Sequence, residues 1–350
     1  MGNPLISVVI PAFRSGRIIR EAIDSVLTQT FQDFEIIIVD NNASDETRTA
    51  FNEVASLNPN KIRVFCEHTQ GLPSARNRGI KESKGVYIAL LDDDDKMYRQ
   101  RLEKQLEAIE SHPEASLIYG MLDCISYDGQ TFVERNKLEG PGSWSVILFG
   151  DQPRFKLDPL IEPRPSVTFF RKDLAVKAGL FDEQFNPFWV EETDFYLRMW
   201  SLGSFIPVPE VLIAYRHSSQ ESLKRKGGGN TNRLIGMRNL NLFFSKLIEK
   251  YYDKNDRDSK RKFRNLQAQW LRELFLELAQ YSDGKSIGRF VLVRALRAKL
   301  TDRKNWKCYV ASYFPKQYFQ HYGKRGTLRE SLYECATPEI FKDFFSLPEG

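Results

Sequence analysis

Three uninterrupted apolar runs, LISVVI at 5–10, FEIIIV at 34–39 and VYIALL at 86–91, constrain this chain more than any other feature. A strand with one wet face alternates apolar and polar residues. These runs do not alternate, and they are rich in β-branched side chains, so each reads as a strand buried on both faces. Between them the period changes. Residues 18–29 put Ile18, Ile19, Ala22, Ile23, Val26 and Leu27 on one helical face. Further helices are expected from about Asp45 to Ser56 and from about Pro73 to Lys84, with a strand at 61–66 between them. Buried strands alternating with helices specify an α/β chain, with a mostly parallel, doubly wound sheet and helices on both faces.

Beyond residue 115 the expectation is short alternating strands to 135 with a turn at Asp128-Gly129, a strand at 166–171, a helix at 191–202 and a strand at 205–213. KRKGGGN at 224–230 is a break by composition. Helices are expected after it at 232–251, 260–281, 286–300 and 304–320. The domain reading is therefore 1–223 for the α/β part and 224–350 for a basic, mainly helical extension.

In a doubly wound sheet ligands bind beyond the carboxyl ends of the strands, so the polar residues following each run become candidates. After the first come Pro11 to Arg14; after the second, Asp40 to Asp45 in VDNNASDET; after the third, Asp92 to Asp95. Four consecutive carboxylates at the end of a buried strand repel one another unless a cation lies among them. Mg²⁺ and Mn²⁺ take one or two carboxylates and fill their remaining positions with diphosphate oxygens. A solvated acidic turn is the plain alternative. Asp40 can accept hydrogen bonds from a base or ribose, while Asn42 or Ser44 can cap the following helix with Asp45 in its first turn. In GLPSARNRGIKESKG at 71–85, Gly71 gives a turn, and Arg76 and Arg78 lie near a helix start that can meet phosphate, although a helical arginine is more often solvated or salt-bridged. Glu191 and Glu192 open the helix at 191; they are either acidic residues well placed for the helix dipole or a general base acting on an acceptor hydroxyl.

Taken in order, VVIPAF, VDNNASDET, GLPSARNRG, ALLDDDD, FFRKDLAVKAGLFDE and VEETDFYLR resemble the inverting nucleotide-sugar glycosyltransferases of GT-A fold, in their large bacterial polysaccharide-making family 2, over about residues 5–217. The resemblance implies roles. Asp92 and Asp94 match the Asp-x-Asp motif that holds Mn²⁺ or Mg²⁺ against the donor diphosphate, with His217 near a late histidine that completes the metal or diphosphate site. Pro11, Phe13, Asp40 and Asp45 match the nucleoside pocket, and Arg76, Asn77, Asp92 and Asp93 the donor-side segments. Glu192 matches the catalytic base and Glu191 its neighbour. Three residues depart from the pattern: Arg14 stands where Asn is common, Glu192 where Asp is usual, and His217 follows Arg216 with no residue between. The implied donor is a nucleotide-diphosphate sugar, a UDP-sugar first among them, and the implied acceptor a saccharide or lipid-linked saccharide.

Charge is unevenly spread. Residues 1–220 hold 24 Lys/Arg and 32 Asp/Glu, a balance of −8, whereas 221–330 hold 26 and 10, a balance of +16. Cationic amphipathic helices carrying Trp306, Tyr309, Tyr313, Phe314, Tyr318 and Phe319 suit an anionic membrane surface through 231–320, or else form an ordinary helical subdomain with a solvated basic face. No nucleic-acid motif accompanies the charge. Cys66, Cys124, Cys308 and Cys335 form no CxxC pair, and MGNPLISVVIPAF reads as a first strand and not a secretory signal, so a cytoplasmic enzyme is expected, peripheral on the inner face of the membrane where the basic helices bind it. A Rossmann oxidoreductase would carry GxGxxG where this chain has PAFRSG. A nucleotidyltransferase would carry a Gly-rich basic loop there. A non-catalytic nucleotide-sugar-binding partner of the same fold would bind donor without consuming it.

Overall fold

A computed structural model describes residues 2–127, 129 and 163–216, the backbone of 132–135, 146–148 and 155–157, and residues 235, 236, 238, 239, 242, 243 and 246. The chain divides into two compact units, Met1–Ile147 with Phe155–Lys226, and Leu148–Arg154 with Gly227–Gly350. In the second unit the described residues between 235 and 246 are helical. The remainder of the expected extension lies outside the described residues, as does His217.

The first unit is built on a nine-stranded mixed sheet. Its parallel half runs β3 (Ile62–Cys66), β2 (Phe34–Asp40), β1 (Ile6–Ala12), β4 (Tyr87–Leu90), with Ala12 level with Asp40. The other half continues through β10 (Phe169–Arg171), antiparallel to β4, then β6 (Ala115–Ile125), β11 (Ser204–Arg216) and β5 (Lys96–Met97). β7 (Phe132–Arg135) pairs with β6, and β8 (Val146–Leu148) and β9 (Phe155–Leu157) are short strands off this sheet. All seven residues of β1 and of β2 are buried, as unalternated apolar runs require.

Helices cover both faces. On one, Ile19, Ile23 and Val26 of α1 (Ile19–Leu27), Phe51 of α2 (Asp45–Leu57) and Leu102 of α4 (Arg101–Ser111) pack on Val8, Ile10, Ile36 and Ile38. On the other, Ala75 and Ile80 of α3 (Leu72–Glu82), Ala175 of α5 (Lys172–Lys177) and Phe195 of α6 (Glu191–Trp200) pack with Val9, Ile37, Val39 and Leu90. Alternate residues of one strand thus feed opposite layers. α3 lies close enough to β1 that a Cβ on Gly79 would fall 2.2 Å from Val9 Cγ1.

Candidate active site at the carboxyl edge of the sheet

The loops after β1, β2 and β4 are knit together by their own backbone. The Phe13 N–H donates to Asp93 Oδ2 at 2.8 Å, and its carbonyl accepts the Ser44 N–H at 2.9 Å. Pro11 is buried at the end of β1 and Phe13 is half-buried, with Arg14 stacked over its ring. Asp40 ends β2 with both oxygens engaged: Oδ1 accepts the Ala43 N–H at 2.8 Å and Oδ2 accepts Arg48 Nε at 2.8 Å. Ser44 caps α2, and Asp45 stands fully exposed in the first turn beside Arg48. The contacts of this loop are local: Asp45 stands at the helix start, and Asp40, on the sheet edge, is engaged by Ala43 and Arg48.

The four aspartates form a tight turn, in which the Asp95 N–H donates to the Asp92 carbonyl at 3.2 Å. Burial alternates along it. Asp93 and Asp95 are buried, whereas Asp92 and Asp94 are partly accessible. Asp93 ties this turn to the loop after β1 through the Phe13 N–H. Asp95 accepts the Arg216 N–H at 2.8 Å, and Ser166 bonds Asp95 while its Oγ accepts the Asp92 N–H at 3.0 Å. Burial, then the charges of Asp94 and Asp92, hold the Asp95 carboxyl well above the ordinary carboxylate range. Burial likewise pushes the Tyr215 hydroxyl up to about 12, with Arg164 opposing and Asp95, Asp92 and Asp94 adding to it.

Two further cations hold this turn. Arg216, whose side chain is 1% exposed, donates Nε to the Asp94 carbonyl at 2.8 Å, Nη1 to the Tyr127 carbonyl at 2.5 Å and Nη2 to Glu21 Oε2 at 3.0 Å. Arg101, wholly buried below, donates Nη2 to the carbonyls of Leu90 and Thr168 at 3.0 Å each. Burial pulls its pKa down to about 9, with Asp95 opposing. Ser166, Tyr215, Arg216 and Arg101 carry no site role in the sequence reading. Their partners lie far along the chain, and the acidity of the 92–95 turn was the one signal that such counter-charges must exist.

Arg76 is the centre of the site. It is 1% exposed, with Nη1 on Glu191 Oε1 at 3.0 Å and Nη2 on Asp92 Oδ1 at 3.1 Å, and its guanidinium lies 5.4 Å from the Phe181 ring centroid. Burial alone would depress it, but Asp92, Glu191 and Glu192 outweigh burial and leave it above the ordinary arginine value. Glu191 is 1% exposed, and burial pushes it well above the carboxylate range; Glu192 adds to the rise and Arg76 opposes it. The Glu192 carboxyl is within hydrogen-bonding reach of Glu191 and is itself only half-buried. Of the two carboxyls, Glu191 is the buried one and Glu192 the accessible one. Asn77 faces away from this centre. Its amide donates to the Phe181 carbonyl (2.8 Å) and Glu183 (2.9 Å) and accepts the Phe181 N–H (2.9 Å), so it clamps the segment leading to α6. Arg78 is the solvated arginine of this helix, paired with Glu82 at 3.1 Å.

Among the described residues no group of three His, Cys, Asp or Glu side chains converges as a metal-ligand set. Asp92 and Asp94 nonetheless suit a hard divalent cation: both are partly accessible, and their charges bear on the same buried Asp95 carboxyl. Such a cation needs one or two carboxylates when diphosphate supplies the rest.

The family model described as glycosyl transferase family 2 matches residues 7–177, which span β1 through α5 and the loops after β1, β2 and β4. Residues 7–177 belong to glycosyl transferase family 2. An uncharacterized glycosyltransferase of Rickettsia typhi is 30% identical over 231 residues, covering 62% of this chain and 66% of that protein, so the chain spans about two thirds of that relative's length. A putative teichuronic acid biosynthesis glycosyltransferase of Bacillus subtilis, TuaG, is 36% identical over 105 residues, 30% of this chain and 42% of that one. Among solved structures, S. aureus TarS 1–349 in complex with UDP-GlcNAc aligns with a TM-score of 0.51 and 13% identity over 93% of this chain and 95% of that one. The mannosyltransferase PcManGT from Pyrobaculum calidifontis, in complex with GDP-Man and Mn²⁺, aligns with a TM-score of 0.52 and 14% identity over 91% and 86%. At these identities the likeness is one of fold, and it is the GT-A fold that the ordered motifs implied. Among the described residues no helix is long and apolar enough to cross a membrane.

Proposed function

We propose that this chain moves a sugar from a nucleotide-diphosphate donor, a UDP-sugar first among candidates, to an acceptor hydroxyl with inversion at the anomeric carbon, in surface polysaccharide or glycoconjugate synthesis. One observation carries the reading: a single buried guanidinium, Arg76, joins the carboxylate proposed for the donor diphosphate side, Asp92, to the glutamate pair proposed for the acceptor side. Donor-side charge and acceptor-side base are then fixed on opposite sides of one group at the ligand edge of the sheet.

The loops after β1 and β2, with Pro11, Phe13, Asp40 and Asp45, receive the nucleoside. Asp92 and Asp94 face the diphosphate, with His217 as the candidate third group. Mn²⁺ or Mg²⁺ held by Asp92 and Asp94 would offset the charge that grows on the departing nucleotide diphosphate. Glu192 accepts the proton of the acceptor hydroxyl as that oxygen bonds to the anomeric carbon. Glu191, buried and bonded to Arg76, stands beside Glu192 and holds the start of α6 in place. The displacement is a single step with no enzyme nucleophile, and inversion follows. A saccharide or lipid-linked saccharide acceptor suits the +16 balance of residues 221–330, which would meet an anionic membrane surface.

The test is Glu192→Gln. It should bind nucleotide sugar as the wild type does and lose transfer by about 10²–10⁴-fold. Normal transfer by this variant would remove Glu192 from the role of base.

A further inference from the structure

We propose that Asn77 is a positioning residue for the proton acceptor, acting through Phe181 on the helix that carries Glu192. The inference rests on the transferase reading above. It gives Asn77 a task on the acceptor side, where the ordered motifs imply one on the donor side.

Asn77 is 4% exposed, and its amide is engaged at both ends. Nδ2 donates to the Phe181 carbonyl at 2.8 Å and to Glu183 Oε1 at 2.9 Å, and Oδ1 accepts the Phe181 N–H at 2.9 Å. One side chain thus takes both backbone groups of one residue, which fixes the plane of that residue as well as its place. The other Glu183 oxygen accepts Ser74 Oγ at 3.1 Å, and Asn186 Nδ2 donates to the same hydroxyl at 2.8 Å. The Leu72 N–H donates to the Pro187 carbonyl at 2.7 Å. Leu72, Ser74 and Asn77 of α3 therefore hold the stretch from Phe181 to Pro187.

Phe181 is where this hold reaches α6. It is buried, and its ring stacks on that of Phe195, with centroids 4.2 Å apart and planes 24° apart. The Arg76 guanidinium lies 5.4 Å from the same centroid. Arg198, one turn beyond Phe195, donates Nη1 to the Ala178 carbonyl at 2.6 Å and to the Leu180 carbonyl at 2.5 Å. α6 thus rests on the turn before Phe181 through two side chains, and Asn77 fastens that turn to α3. Glu192 precedes Phe195 by three residues, so the two are neighbours on the helix surface. At the helix start Arg76, adjacent to Asn77 in sequence, bonds Glu191 at 3.0 Å. Two consecutive residues of α3 therefore set α6 at two levels, its first turn and the turn after it.

A proton acceptor works only within hydrogen-bond reach of the attacking hydroxyl, and a misplacement of about 1 Å costs on the order of 10²-fold in rate. The nucleotide is assigned to the loops after β1, β2 and β4, and the Asn77 amide bonds none of them. Loss of Asn77 should lower kcat and leave nucleotide affinity alone. A merely structural side chain would lower Tm and leave kcat unchanged at temperatures where the variant is folded.

The test uses the full chain. Binding is read with UDP and Mn²⁺, and transfer as UDP release from UDP-N-acetylglucosamine, UDP-glucose and UDP-galactose with p-nitrophenyl pyranosides as acceptors. Asn77→Asp keeps the acceptor for the Phe181 N–H, loses the donor to the Phe181 carbonyl and sets a second carboxyl against Glu183. It should lower kcat about ten- to hundredfold, with the UDP dissociation constant and the donor KM within about twofold of wild type. Adding Glu183→Gln returns a donor to face position 77 and should recover part of the kcat. Phe181→Leu leaves the amide clamp whole and removes the ring beneath Phe195; it should show the same split, and it decides the matter where Asn77→Asp does not fold. Wild-type kcat in both single variants, or a loss carried by the UDP dissociation constant in place of kcat, overturns the positioning role and leaves the transferase reading standing. Failure of the wild type to bind UDP or any nucleotide sugar overturns the reading on which it rests.

Discussion

Replacing Arg76 by Met removes one cation from between two carboxylates, and the size of the effect follows from how buried each partner is. The Glu191 side chain is 2% exposed and that of Asp92 is 26% exposed. Stranding a buried charge costs about 3–5 kcal/mol, but Asp92 recovers part of its hydration and Glu191 can keep its proton. The expected loss is therefore near the low end, about 3 kcal/mol, or roughly 6–12 °C in Tm for a unit of this size. The loss should grow with pH. Glu191 already has a raised pKa, so its stabilising contribution is full below the unfolded value of 4.5 and fades as pH rises through the folded one. Without Arg76 that folded value climbs further, so the gap to wild type widens as pH rises above the ordinary carboxylate range. Thermal unfolding of wild type, Arg76→Met, Glu191→Gln and the double variant at pH 5 and pH 8 measures this as a cycle. A coupling of about 2 kcal/mol at pH 8, smaller at pH 5, is the expected result. Additive variants, or an Arg76→Met loss independent of pH, would refute the buried bridge as the organiser of the site.

Other outcomes follow from single contacts. Gly71→Ala, at φ 149° and with its Cβ against Asn186, should lose about 2–3 kcal/mol in urea unfolding; an unchanged midpoint would mean the 186–190 segment is not fastened there. Arg216→Met strands the carbonyls of Asp94 and Tyr127 and should lose at least ~2 kcal/mol, with weaker Mn²⁺ binding by titration calorimetry. Gly79→Ala drives a methyl into Val9 and against Val39 and should cost about 1–3 kcal/mol without changing nucleotide affinity, since it touches only the packing of α3 on β1 and β2.

The parallel half of the sheet was legible because its strands are buried on both faces, and burial writes itself as unbroken apolar runs. β1, β2 and β3, with α2 and α3, fall within a few residues of their sequence-derived bounds. The second half was less so. SVTFFR reads as one strand, yet Pro165 opens a 3₁₀ turn over Pro165–Val167 and only Phe169–Arg171 joins the sheet. Residues 115–125 form one long strand where short ones were expected, and α4 was missed, its start marked by Gln100 with no capping side chain. At the site, the sequence pointed to Asp92, Asp94, Glu191 and Glu192 through position and motif. It could not show that Arg76 turns inward, because Arg76 and Arg78 sit two apart on one helix and only packing decides which is buried. Nor could it show Arg216 reaching 122 residues back to Asp94. Contacts of that separation leave no local pattern.

The central claim is a metal-dependent nucleotide-sugar site at Asp92 and Asp94, and the most direct test is thermal stabilisation by a panel of nucleoside diphosphates and nucleotide sugars with and without Mn²⁺. A ligand at about 100 times its dissociation constant adds roughly 2.7 kcal/mol of stability. Stabilisation by one nucleobase series, dependent on Mn²⁺ and lost in Asp94→Ala, is the predicted result. No stabilisation by any nucleotide, or stabilisation equal with and without metal and intact in Asp94→Ala, would contradict it.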